Sequence, residues 1–269
     1  MIDIVLFCTA GLLYVLSLMF FLAFFLKSKN NKEEAKGVEK IALYLLWFGA
    51  LIQIAYLLAR FALNKYFPVM TLFEVIAFIT LIFAFGIIYL GRKEVIKNIE
   101  LKLLPFLLIL MSLTFFMDYT PGVVSFSNLW LIFHVPFGLG SYGGFIVSTI
   151  IAAIYFVKYL RNKRESKESL ETYYNLIFKI IKISFILLTL CIVTGAIWAY
   201  FAWGSFWGWD SKETWSLLTW ISYLISIILY NFNSKRKFLN ILLVLLSFFV
   251  VVITFIGVNY FMFGLHSYI

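Results

Sequence analysis

An all-α integral membrane protein, a bundle of about eight transmembrane helices with both termini outside, is the fold class this sequence predicts. Three observations carry that reading. The chain of 269 residues is 64% apolar and only 13% charged, with a mean hydropathy of +0.99. A soluble domain of that size has no use for so much apolar surface. The apolar residues gather into eight runs, most long enough to cross about 30 Å of hydrocarbon at about 1.5 Å per residue. The basic residues, finally, crowd into alternate loops between those runs. Lipid offers the backbone no hydrogen-bond partners, so each run is expected to be helical.

The runs follow in order. Ile4–Leu26 is preceded by Met1-Ile2-Asp3, which has no basic segment and no small-residue cleavage site, so it reads as a retained helix rather than a signal peptide. Ile41–Leu63 comes next. Thr71–Leu90 follows Phe67-Pro68 and carries Glu74 about one turn in. A carboxylate inside a membrane run is costly and marks a functional candidate, unless it reaches interfacial water. Leu101–Met117 is short. Leu129–Phe156 holds His134 about one turn from its start, and Leu176–Phe201 holds Cys191. Trp215–Tyr230 is again short, and Leu239–Phe263 is the last. Cys8 and Cys191 lie within apolar runs and suggest packing; no CxxC pair exists for redox or metal work. No repeat or low-complexity tract divides the chain, so residues 1–269 read as one polytopic membrane domain.

Charge sets the orientation. Segments 27–40, 91–102, 158–182 and 231–238 hold 19 of the 22 basic residues, and only Arg60, Lys65 and Lys212 lie on the other side. Such an excess marks the cytoplasmic face. The net charge of +9 is therefore a topology signal, and nucleic-acid binding is a poor explanation of it. By the same rule both histidines of the chain, His134 and His266, fall on the outer face.

That face also receives six of the eight tryptophans, between Trp198 and Trp220. Segment 198–220 reads as an external platform, expected to fold into short, partly membrane-parallel helices. Indoles are large, flat and rigid, and a cluster of them receives a planar apolar ligand at low entropic cost. An interfacial aromatic belt is the plainer reading, but a belt spreads its tryptophans over many helix ends. Two imidazoles beside such a platform suit bis-histidine ligation of haem iron. Haem propionates need cations, and Lys212, inside the segment, has a better claim than Arg60 or Lys65, which can equally snorkel at helix ends. Asp210 and Glu213 are read as orienting tryptophan or histidine N–H groups or the start of the seventh span. No carboxylate pair, Ser/His/Asp set or P-loop supports a hydrolase or ATPase.

At this point the residues resemble a known family. Trp203-Gly-Ser-Phe-Trp207-Gly-Trp209-Asp210 is similar to the tryptophan-rich WWD signature of the haem-handling proteins of cytochrome c maturation. The continuation Asp210-Ser-Lys212-Glu213-Thr-Trp215, ending at Trp220, resembles the CcsA branch, also called ResC, of the System II pathway. His134-Val-Pro-Phe-Gly-Leu-Gly-Ser-Tyr142 resembles the first external histidine motif of that family, and Gly257-Val-Asn259 with Gly264-Leu-His266-Ser-Tyr268 the second. The resemblance implies a component of a cytochrome c haem lyase with little catalysis of its own. Haem b would be held non-covalently, in transit, by His134, His266, Trp203, Trp207, Trp209, Asp210, Lys212 and Trp215, with the two histidines as ligands to the metal. Partners would be a ResB/CcsB-type membrane protein, an apocytochrome c with a CxxCH motif, and thiol-reducing proteins. The location implied is the cytoplasmic membrane with its active side outside, or a thylakoid membrane. A CcmC-like haem donor to a carrier chaperone and a cofactor-free membrane transporter are the alternatives. One position departs from the family: a histidine within the seventh span is replaced by Ile228, which puts transport of haem through an inner site in doubt.

Overall fold

The computed structural model describes residues 2–29, 31–93, 96–120, 129–161, 167–232 and 236–257. All regular structure among them is helical: α1 (Ile2–Lys27), α2 (Lys32–Asn64), α3 (Leu72–Arg92), α4 (Ile99–Leu113), α5 (Leu129–Leu160), α6 (Lys167–Trp203), α7 (Ser211–Phe232) and α8 (Lys237–Val252). A 3₁₀ turn, Thr114–Phe116, extends α4, and a π turn, Ile253–Gly257, extends α8. The expected spans are all present, and eight helices among the described residues are long and apolar enough to cross a membrane.

The helices outrun the apolar runs at their polar ends. α2 starts at Lys32 and α6 at Lys167, so the basic segments are partly helical rather than loops. Lysine and glutamate are good helix formers, and nothing obliges a helix to stop where its side chains leave hydrocarbon. α2 is instead started by Asn31, whose side chain accepts hydrogen bonds from the Glu33 and Glu34 N–H groups. It is ended by Lys65, in the left-handed region at φ 61°.

The chain divides into two compact units, Met1–Ser125 and Phe126–Ile269. In the first, α1 packs on α2, α2 on α3, α3 on α4 and α4 back on α1, which closes a four-helix ring. In the second, α5 to α8 close in the same cyclic order.

The first unit is tied together by a buried polar link. Tyr14 on α1 donates to Gln53 Oε1 on α2 (2.7 Å), and Gln53 Nε2 donates to the Ala77 carbonyl (2.8 Å) and Thr80 Oγ1 (2.7 Å) on α3. Gln53 is fully buried. Replacing it by Leu strands the Tyr14 hydroxyl, which should cost about 1–3 kcal/mol. A lowered thermal midpoint in detergent, partly restored by adding Tyr14→Phe, is the expected result; an unchanged midpoint would show that the link carries no stability.

At one end of this unit, Arg60 closes α1, α2 and α3 around a charge cluster. Its Nε donates to Glu74 Oε1 (2.8 Å), its Nη1 to Asp3 Oδ2 (3.0 Å) and its Nη2 to the Tyr119 carbonyl (2.7 Å). Its guanidinium carbon lies 4.4 Å from the centre of the Tyr119 ring. Glu74 also accepts from the Tyr66 hydroxyl and the Met70 N–H, and it forms a capping box with Thr71 at the start of α3. This corrects two expectations. Arg60 is 1% exposed and Glu74 0%, so the first neither snorkels nor offers itself to a propionate, and the second does not reach interfacial water. Opposite charges on neighbouring helices satisfy each other inside the bundle because lipid gives them no other partner. Beyond the spans, burial pushes the Tyr119 hydroxyl up to about 12, with the Asp3 carboxylate adding to it, so the ring beside Arg60 stays neutral. Next to it, the Thr120 N–H and hydroxyl hold the exposed Asp118 carboxyl below its ordinary range.

In the second unit α5 and α6 approach closely at Gly144, where a Cβ would collide with Ser184 Oγ. Small residues at such crossings let membrane helices pack backbone to backbone. α7 is joined to the π turn after α8 by the Thr219–Thr254 hydroxyl pair (2.9 Å) and to α8 by Asn240 Nδ2, which donates to the Ser226 carbonyl (3.1 Å).

Candidate haem-facing site

One end of the second unit gathers the first turns of α5, the last turns of α6, the segment 204–210 and the start of α7. α6 stops at Trp203 because Gly204 takes a left-handed conformation at φ 79°, with its N–H on the Tyr200 carbonyl at 2.9 Å. Segment 204–210 is irregular, so the short membrane-parallel helices expected there do not form. Gly204, Gly208 and a Ser205 hydroxyl that donates to the Trp207 carbonyl (3.0 Å) favour turns over helix.

α7 begins with a reciprocal cap. Asp210 Oδ1 accepts from the Glu213 N–H (2.8 Å), while Glu213 Oε2 accepts from the Gly208 (2.8 Å) and Asp210 (3.3 Å) N–H groups. The two acids thus take the helix-starting role among those the sequence left open. Glu213→Ala should cost about 1–2 kcal/mol. It should also raise proteolysis within 204–210; protease resistance equal to the unsubstituted protein would show that the cap does not hold this segment.

His134, on α5, lies against α6. Its Nδ1 is 2.8 Å from the Cys191 carbonyl oxygen and 3.5 Å from Cys191 Sγ. Its ring is parallel to that of Trp198, 6.4 Å away with 6° between planes, and Trp198 meets Trp203 edge-on at 4.8 Å. Since a carbonyl only accepts, the Nδ1 contact places the hydrogen on Nδ1 and the lone pair on Nε2. Lys212 stands on the first turn of α7, two residues beyond Asp210. Trp207 and Trp209 form a second pair, edge to face at 5.7 Å. The Trp207 indole N–H is buried with no hydrogen-bond partner among the described residues, a donor available to a bound anion. Trp209 is 69% exposed and left-handed, at φ 55°. Trp215 is fixed through its carbonyl, which accepts from Thr254 Oγ1 at 3.1 Å.

The structure thus links His134 to Trp203 through Trp198, with Trp207, Trp209, Asp210, Lys212 and Trp215 on the segment that follows. His266 and the Gly257-to-Tyr268 motif beyond Gly257 lie outside the described residues. Ile228 is 44% exposed on α7, so a histidine there would not enter the core of this four-helix unit. Sequence reasoning missed Cys191, Gly195 and Trp198 as the surroundings of His134. Their spacing along α6 is the signal that was available. The residues present fit a haem: an imidazole with its lone pair on Nε2, indole walls, a lysine and a buried N–H with no partner among the described residues.

Comparison with known proteins places the chain in a family. The family described as Cytochrome C assembly protein matches residues 5–266. The cytochrome c biogenesis protein CcsA of Guillardia theta is 33% identical over 240 residues, 78% of this chain and 79% of that protein. CcsA of Prochlorococcus marinus subsp. pastoris is 30% identical, over 96% of this chain and 91% of that protein. Among solved structures, cytochrome c heme lyase CcmF superposes with a TM-score of 0.68 over 94% of this chain at 18% identity, which shows a shared fold. This chain spans 46% of that longer protein.

Proposed function

The chain belongs to the cytochrome c assembly protein family, as a CcsA-type member, and from that premise we propose that it presents haem to apocytochrome c on the outer face of the membrane. It works in cytochrome c biogenesis, as the CcsA/ResC part of a System II haem lyase. The observation that carries this is the fixed imidazole of His134, lone pair on Nε2, beside the Trp198–Trp203 wall.

His134 and His266 would hold the iron. The indoles of Trp203, Trp207, Trp209 and Trp215 hold the ring and exclude water, and Lys212 with the Trp207 N–H receives the propionates. Haem, as substrate, supplies vinyl groups to the two thiols of a CxxCH motif, which bring the nucleophiles. The protein contributes orientation, since reacting groups held in place need no further loss of freedom. A ResB/CcsB-type protein completes the complex, and thiol-reducing proteins keep the client cysteines reduced. The positive-inside rule supports an outward-facing site in the cytoplasmic or thylakoid membrane.

Purification in detergent, alone and with the partner, followed by an absorption spectrum and haem quantification, tests this reading. A six-coordinate haem spectrum, lost on addition of reduced apocytochrome with covalent haem appearing on it, is the expected result. Absence of haem from both preparations would overturn it, as would labelling of cysteines placed at 205–212 from the cytoplasmic side alone.

A further inference from the structure

This inference deepens the proposed function and rests on haem ligation by His134. We propose that Cys191, Gly195 and Trp198 are positioning residues that seat the His134 imidazole in a single tautomer and plane, so that Nε2 faces the iron already prepared as a ligand.

The three residues stand at i, i+4 and i+7 of α6 and so share one helix face. Each constrains the ring differently. The Cys191 carbonyl, 2.8 Å from Nδ1, accepts a hydrogen bond only when Nδ1 carries the hydrogen, which leaves the lone pair on Nε2. Trp198, parallel to the imidazole within 6°, sets the plane of the ring. Gly195 makes the approach possible. A Cβ at that position would stand 2.6 Å from His134 Cε1 and 2.7 Å from Nδ1, closer than such atoms come. Any other residue at 195 therefore drives the imidazole away from the Cys191 carbonyl, and the constraint on the tautomer goes with it. A metal-binding histidine is generally oriented by what its other nitrogen holds. Here a main-chain carbonyl takes that part, so side-chain substitution at 191 leaves the acceptor in place while substitution at 195 removes access to it.

The chain has two histidines, which makes the test direct. In the full-length haem-free protein carrying His266→Gln, nitrogen-15 NMR of labelled histidine reads His134 alone. The expected spectrum has Nδ1 protonated and Nε2 unprotonated, one tautomer exceeding the other by about tenfold or more. Gly195→Ala should mix the two tautomers. Trp198→Phe should preserve the preference and Trp198→Leu weaken it, which keeps the test open should Gly195→Ala fail to fold. In the haem-loaded protein with His266 intact, Gly195→Ala should lower haem affinity about tenfold to a hundredfold and shift the six-coordinate spectrum. A predominantly Nε2-protonated His134, or a tautomer ratio indifferent to Gly195→Ala, overturns the seat. A fixed Nδ1–H tautomer together with a haem spectrum indifferent to His134→Ala leaves the seat standing and overturns ligation by His134 instead.

Discussion

Replacing His134 by alanine is expected to lower the haem content of the purified protein by at least about tenfold and to move any remaining haem out of the six-coordinate state. The reason is ligand supply. The chain offers two imidazoles, and among the described residues no cluster of three or more His, Cys, Asp or Glu side chains provides another metal site. Truncation at 134 also opens a space of the right shape, bounded by Gly195, the Cys191 carbonyl and the Trp198 ring. Free imidazole added to the variant should enter that space and restore part of the six-coordinate spectrum. His266→Ala should produce a similar loss, and the double variant should retain essentially no haem. Haem quantification and absorption spectra check all three. An unchanged spectrum in the double variant would remove both residues as ligands.

The largest effect on stability is expected from Arg60→Met. That change leaves Asp3 and Glu74, 3% and 0% exposed, as buried carboxylates without their shared cation. Removing one partner of a buried ion pair costs about 3–5 kcal/mol, because the desolvated carboxylates left behind lose their shared cation. The variant should aggregate in detergent at a much lower temperature than the parent. Neutralising the whole cluster, with Asp3→Asn and Glu74→Gln added to Arg60→Met, should recover much of the loss, since no charge then remains buried. A single Arg60→Met variant as stable as the parent would show that the cluster does not support the fold. The Tyr119 carbonyl and ring, which Arg60 also holds, should become accessible to protease in the same variant.

What the sequence discloses divides along physical lines. The eight spans are legible because hydrocarbon imposes a length and a polarity on each helix separately, and both can be read from adjacent residues. Helix ends in water obey no such rule, which is why α2 and α6 run into segments that composition alone marks as loops. The tryptophan segment and His134 stand out by residue type. The contacts that give them meaning do not. His134 meets Cys191 across 57 positions, Arg60 meets Asp3 across 57 and Glu74 across 14, and no periodicity in one chain announces which helices will be neighbours. The segment from 204 to 210 departs from expectation for a different reason. Spacing of Trp203 and Trp207 fits a helical face, but Gly204 and Gly208 interrupt it, and the caps at Trp203 and Asp210 turn the chain instead. Ile228 is the converse case, a departure visible in sequence whose side chain proves to lie on an exposed face of α7.

Trp209 sets stability and activity against each other in any programme of directed evolution. A non-glycine residue in the left-handed region carries about 1–2 kcal/mol of backbone strain, and most of this indole gains nothing from burial. Glycine at 209 would relieve the strain, so a library sorted by heat resistance should enrich it. The same library sorted by cytochrome c yield should discard it, and the enrichment ratio at this single codon would measure how far the exposed ring serves the ligand rather than the fold.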